Sequence, residues 1–407
     1  MNGKQFILVL VVLAALVAGG WGVMKWQRGS YEVADTRVGQ KLLPGFKVDE
    51  VAEIAIVEPG ATLTLLRTDK GWTVKERGGY PASLEAIRDL LVKLEALKVA
   101  QAEGITDALR PRLQLAAPGG AAKPEETGTG LELKARDGKP IAALLLGKKA
   151  TKQVNLPGLA GESIPSGRYV LVASDPQRMN VVAEPFTTVT AKPQQWLARD
   201  YLKVERIKSL TVLGPDGKER WSIGRPDEAA GWTWSASGKL DGGKAQDGAS
   251  ALYSMQIADA AAGVSDADAG LDKPVTVRAQ TFDGWSYDLR IGNAAPEDRY
   301  YAKASVSGAV PEKRTPRADE KAEDTQKEDK AFAERQAAMK AKLEREQALG
   351  AFTVLLPKST VDPLLRERSA LVAVEQEDAK DAKDSKDAKD AKDAKGAKGA
   401  KGAKGKK

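Results

Sequence analysis

Apolar and polar residues alternate over several short stretches of this chain, and one stretch carries its apolar residues at helical spacing. From Val51 to Val57 the alternation of Ile54 and Ile56 predicts a strand with one buried face. Pro59-Gly60 turns the chain into a second strand over Thr62 to Leu66, and Asp69-Lys70-Gly71 turns it into a third at Trp72-Thr73-Val74. Past Tyr80-Pro81, residues Ile87, Leu90, Leu91, Leu94 and Leu97 form a single helical stripe. Ser83 suits the N-cap, and Glu85 early with Lys93 and Lys98 late match the helix dipole. Leu131 to Lys134 and Ile141 to Leu146 predict a hairpin across Asp137-Gly138, ended by Gly147. Arg168 to Val172 predicts a further strand, then a short helical piece from Asp175-Pro176 through Val182.

The same order returns from Tyr201. Ile207, Leu210 and Val212 open a strand, Trp221 and Ile223 mark a second, and Gly231-Trp232-Thr233-Trp234 predicts a third. A poorer helix is expected over about Gln246 to Ile257, then paired strands Val275 to Thr281 and Trp285 to Ile291 across Asp283-Gly284, closed by Gly292. Trp72 answers to Trp232, Asp137-Gly138 to Asp283-Gly284, and Gly147 to Gly292. Between Arg314 and Leu349 the chain is dense in Lys and Glu, as in a solvated helix inserted between strands. Its place answers to Ala150–Gly167 of the first copy, before a strand at Phe352 to Leu356 and a short helix at Thr360 to Arg366. The expected fold class is α+β: a duplicated antiparallel β-meander with a covering helix. The first repeat spans 48–200, and the second spans 201–375 with a charged helical insertion over 309–350.

The two ends differ from this body. Gln5 to Met24 carries no charge, and about 20 residues at 1.5 Å each cross a hydrocarbon core of roughly 30 Å. A transmembrane anchor is therefore expected over 5–25, with Trp21 and Trp26 at one interface and a juxtamembrane linker over 26–47. A cleaved signal peptide, with Val17-Ala18-Gly19 as its site, is the competing reading. Lys25, Arg28, Arg37 and Lys41 outnumber Lys4, which on a strict positive-inside count keeps the body in the cytoplasm. The ordinary plan of a signal anchor places it outside, and that orientation is the one expected. Over 376–407, Asp-Ala-Lys repeats give way to Gly-Ala-Lys with no large apolar residue, the composition of a disordered, solubilising tail or of a weak tether to an anionic surface.

Composition changes the picture mainly by exclusion. The net charge is +7, but Asp378 to Lys407 holds eleven Lys against six Asp, so +5 sits there and the body is no nucleic-acid binder. With no His and no Cys, Ser-His-Asp hydrolysis, thiol catalysis and most transition-metal sites are excluded. Gly147-Lys148, Gly138-Lys139 and Gly217-Lys218 all lack the Ser or Thr of a phosphate loop. Asp266, Asp268 and Asp272 around Gly270 resemble a calcium loop, but Leu271 and Val277 stand where its Gly and Glu belong. Trp72, Trp232 and Trp234 could stack on sugar; at strand positions their expected role is packing. No catalytic residue, cofactor or metal site is expected.

Several short motifs, in order, resemble the DUF4340 family of bacterial envelope proteins. They are the N-terminal span, Gly39-Gln40-Lys41-Leu42-Leu43-Pro44, Gly71-Trp72-Thr73-Val74-Lys75-Glu76, Tyr80-Pro81-Ala82 and Ile87-Arg88-Asp89-Leu90-Leu91. Leu145-Leu146-Gly147-Lys148, Gly167-Arg168-Tyr169-Val170 and Trp196-Leu197 continue the series, with a looser match in the second copy. The resemblance implies a non-enzymatic, single-pass inner-membrane protein with a periplasmic body, auxiliary to a gliding-motility-type ABC transporter whose ATPase and permease are separate chains. It implies no catalytic residues. The alternative is a periplasmic module that binds glycan or lipid.

Overall fold

The computed structural model describes residues 37–154, 162–316 and 322–373. The expected anchor over 5–25 and the expected tail over 376–407 lie outside the described residues. Among the described residues, no helix is long and apolar enough to cross a membrane.

The protein is a mixed α+β structure of antiparallel sheets and few helices. Its first half holds β1 (Val51–Glu58), β2 (Ala61–Thr68), β3 (Gly71–Val74), β4 (Tyr80–Pro81), helix α1 (Leu84–Ala96) and β5 (Val99–Gly104). There follow β6 (Thr129–Ala135), β7 (Pro140–Val154), β8 (Glu162–Val172) and β9 (Asp175–Val182). The second half runs β10 (Asp200–Leu202), β11 (Ile207–Leu213), β12 (Glu219–Gly224), α2 (Gly242–Tyr253), β13 (Met255–Gln256) and β14 (Asp259–Ala260). It continues with β15 (Val275–Thr281), β16 (Ser286–Ala295), β17 (Arg299–Ser307), α3 (Ala322–Leu349), β18 (Val354–Pro357) and α4 (Lys358–Leu365).

One sheet has the order β4-β3-β2-β1-β6-β7-β8-β9-β5, a second β12-β11-β15-β16-β17-β18-β14, and β10 pairs with β13 in a small third sheet. From β2 onward the first follows the same path as the second. A hairpin leads to a helix, the next strand lies at the far edge, and the chain returns beside its first strand and steps back strand by strand. By contacts the chain divides into two compact units. One holds the described residues up to Tyr201 with Ile257–Ser265 and Phe352–Leu355; the other holds Leu202–Gln256, Asp266–Ala351 and the described residues from Leu356.

Helix α1 forms as its pattern predicts. The Ser83 hydroxyl accepts from the Ala86 amide at 3.2 Å, and Ile87, Leu90, Leu91 and Leu94 are buried. A helix of this length is marginal by itself, and four buried side chains at about 1.5–3 kcal/mol each hold it in place.

Several expectations need correction. Residues 175–182 are strand, not helix: β9 pairs with β8 on one side and β5 on the other, and that ladder outweighs the local Asp-Pro signal. Gly147 and Gly292 do not end their strands. Each sits at a register irregularity inside a longer strand, between Leu146 and Lys149 or between Ile291 and Ala294. Gly231–Trp234 is no strand; it makes an isolated bridge at Gly224↔Thr233, in a run too rich in Gly and Ser to hold a ladder. The second helix starts at Gly242, earlier than expected, because the Asp241 carboxylate caps it by accepting from the Gly243 and Lys244 amides. The charged helix α3 lies between β17 and β18, so its place answers to the short β8–β9 turn and not to Ala150–Gly167. Finally, the last part of the expected linker packs on the body. Leu42, Leu43 and Phe46 are buried, and the Gly39 and Leu42 amides donate to the Val99 and Leu97 carbonyls, covering the free side of β5.

Candidate functional site

Charged side chains that are buried show what the interior is built to do. Arg168, on β8, is 7% exposed. Its guanidinium donates to the carbonyls of Gly147 (2.9 Å), Phe186 (3.0 Å) and Leu146 (3.4 Å) and to the Thr129 hydroxyl. Burial pushes this guanidinium down from its ordinary value, and the charge of Glu58 works against that shift. Glu58 in turn accepts from the Thr129 hydroxyl and the Ala191 amide. Gly147 belongs to the same knot: a Cβ there would stand 2.5 Å from the Leu113 carbonyl oxygen. Two separate sequence motifs, around Gly147 and around Arg168, thus meet at one hydrogen bond.

Asp259 is buried within the first unit. It takes a two-pronged bond from Arg77, Nε to Oδ1 at 2.6 Å and NH2 to Oδ2 at 2.9 Å, and a further bond from the Gln194 amide. In the second unit Glu346, at the end of α3, is fully buried. Its Oε1 accepts from the Lys203 amide at 3.0 Å and its Oε2 from the Tyr287 hydroxyl at 2.9 Å. Burial first, and then the Glu346 charge, raise the Tyr287 phenol above its ordinary value.

An open feature lies elsewhere in the second unit. A groove of about 380 Å³ runs between α2 and the start of β11, lined by Val204, Ile207 and Ala249 beneath, with Trp232 and Tyr253 as aromatic walls. Arg206, Arg225, Glu228, Gln246 and Ser250 complete it. The Arg225 guanidinium stacks 4.6 Å from the Trp232 ring centre and donates to the Ile207 and Glu228 carbonyls. The Trp232 indole N–H donates to the Gln246 Oε1 at 2.9 Å, and Gln246 donates on to Ser250 at 3.1 Å. Arg206 holds a left-handed backbone (φ 52°) and pairs with Glu228 and Asp283, contacts that raise its guanidinium further above the ordinary value.

Of the aromatic residues singled out from sequence, Trp232 lines this groove. Trp72 sits in β3 opposite Arg67, and Trp234 donates to the Gly238 carbonyl beneath Arg368. The suspected calcium loop is used otherwise. Asp266 pairs with Lys303 and Arg290, and Gly270, with φ 68°, lies against Asn293, whose amide donates to the Asp268 carbonyl. Sequence reasoning missed Arg206, Arg225, Gln246 and Tyr253. The available signal was negative: a Trp in a Gly- and Ser-rich stretch that cannot sustain a strand.

Taken together, these features define an α+β protein of antiparallel sheets whose buried charges brace backbone and whose second unit carries an aromatic groove. A domain of unknown function, DUF4340, spans residues 72–274, from β3 through the loop before β15. No curated protein and no solved structure matches the chain.

Proposed function

We propose that this protein is a non-enzymatic accessory subunit of the bacterial cell envelope, held at the inner membrane by a single N-terminal span with its body in the periplasm. On this reading the body is an internally duplicated scaffold for a gliding-motility-type ABC transporter, whose ATPase and permease are its partners. The observation that carries it is the use of buried charge. Arg168, Asp259 and Glu346 are each committed to backbone groups or to fixed side-chain partners, which is how a rigid scaffold spends such residues. The shared path of the two sheets supports the duplication, and the DUF4340 match supports the family setting. Affinity capture of the full chain from solubilised membranes should recover a transporter ATPase and permease. Capture that repeatedly brings down neither, while the protein binds isolated cell wall firmly, would sink the scaffold reading. Orientation has its own check: a reporter enzyme fused after Lys407 should work only outside the cytoplasm.

A second reading, an envelope module that binds glycan or lipid, is favoured by the groove at Trp232.

A further inference from the structure

The geometry points to a definite ligand for the Trp232 groove: a short, uncharged saccharide. This inference rests on the binding-module reading and gives that reading a site.

The two halves differ at the edge beside this groove. In the first sheet, β3 and β4 extend the edge beyond β2, and Trp72 is held there inside a ladder. In the second, no strand among the described residues lies beyond β12; the corresponding stretch makes only the Gly224↔Thr233 bridge. Trp232, the counterpart of Trp72, thereby sits beside a single bridge instead of inside a ladder, and it lines the groove.

The volume, about 380 Å³, falls in the range of small-molecule sites and suits two or three sugar rings. The chemistry suits them too. Arg225 covers one face of Trp232 and Lys203 one face of Tyr253, which leaves the opposite faces to match the C–H faces of pyranose rings, and Tyr253 is 53% exposed, as a contact residue should be. Glu228 engages Arg206 through Oε1, which leaves Oε2 to accept from a sugar hydroxyl, and Ser250 has a hydroxyl hydrogen to give.

Charge disfavours the anionic alternatives. Arg206 is offset by Glu228 and Asp283, and Arg225 spends donors on two carbonyls while stacked on Trp232. Lys203, beside Tyr253, is paired with Glu205. A phosphate or uronate would therefore lose water and meet a groove whose two arginines are matched in number by the Glu228 and Asp283 carboxylates. An extended peptide is disfavoured for another reason: at the free side of β12, Gly224 already exchanges both backbone bonds with Thr233.

The test is calorimetric titration of the full chain in detergent with chitotriose and cellotriose, and with trigalacturonate as the charged comparison. Saturable binding of a neutral trisaccharide is expected, weakened about tenfold or more by Trp232→Ala and by Tyr253→Ala, and unchanged by Trp234→Ala. Because Tyr253 is exposed, Y253A should keep the wild-type unfolding midpoint, which separates a lost site from a lost fold. Absence of saturable binding, tighter binding of trigalacturonate, or indifference to both groove variants would overturn the proposal. A parallel arm offers isolated wall glycan and lipid vesicles. Retention there without trisaccharide binding removes the saccharide site but leaves the binding-module reading, whereas no retention on either removes both.

Discussion

Arg168 shows how much of this protein's stability rests on single contacts. Replacing it by Met keeps the bulk of the side chain but leaves the carbonyls of Gly147 and Phe186 without their donor inside the protein. A loss of about 2–4 kcal/mol is expected, read as a shift of the urea midpoint at constant slope. Arg168→Lys should not restore it, because one ammonium cannot reach carbonyls spread around a planar guanidinium. Gly147→Ala tests the same knot from the other side. The added methyl meets the Leu113 carbonyl, backbone that cannot swing away, so destabilisation of about 2 kcal/mol or more is expected by the same measurement. A serine or alanine elsewhere on an exposed turn would cost far less. Neither the contact nor its burial could be read from the chain, since 21 residues separate the two partners and Arg is among the least expected residues in a core.

At the scale of elements, local patterns were legible wherever one periodicity acted alone. Helix α1 follows from five apolar residues and one serine, and Ser83→Ala should lower stability by about 1 kcal/mol in thermal unfolding. The early strands are equally readable, because Ile54 and Ile56 alternate with residues that stay partly open to solvent. Legibility failed where a distant partner decided the outcome. Residues 175–182 become β9 because β5 and β8 flank them, and the stretch at Trp232 holds only the single Gly224↔Thr233 bridge. The groove was illegible for the same reason: Arg206, Trp232 and Tyr253 come from a bend, a loop and a helix. Helix α3 offers a pH test. Its buried end is fixed by Tyr287 on Glu346, and the folded phenol titrates above its ordinary value. An unfolded tyrosine ionises near pH ~10, so above that pH the unfolded chain sheds a proton that the folded one keeps. The stability contributed by this contact is therefore fully present below about pH 10 and declines as pH rises beyond it. Tyr287→Phe should flatten that decline in urea titrations across the same range.

On the scale of the whole molecule, the first compact unit is not finished by its own half of the chain. Arg77 finds its carboxylate on Asp259, and the pairing Asp259↔Leu355 belongs to the same unit. A double-mutant cycle with Arg77→Ala and Asp259→Ala should give a coupling of about 2 kcal/mol, since either change alone strands a largely buried charge. A chain stopped after Tyr201 should unfold at lower urea than the full protein, or fail to accumulate; a full-strength midpoint from that fragment would contradict the assignment. The interleaving also has a kinetic side. Ribosomes add about 5–20 residues per second, and domains ordinarily close as they emerge. Here the unit begun first must wait for Leu355, long after its own sheet has left the exit tunnel. The nascent chain therefore spends many seconds with Arg77 short of its carboxylate and then β14 short of its partner strand, a window in which a chaperone or an export machine can hold it open.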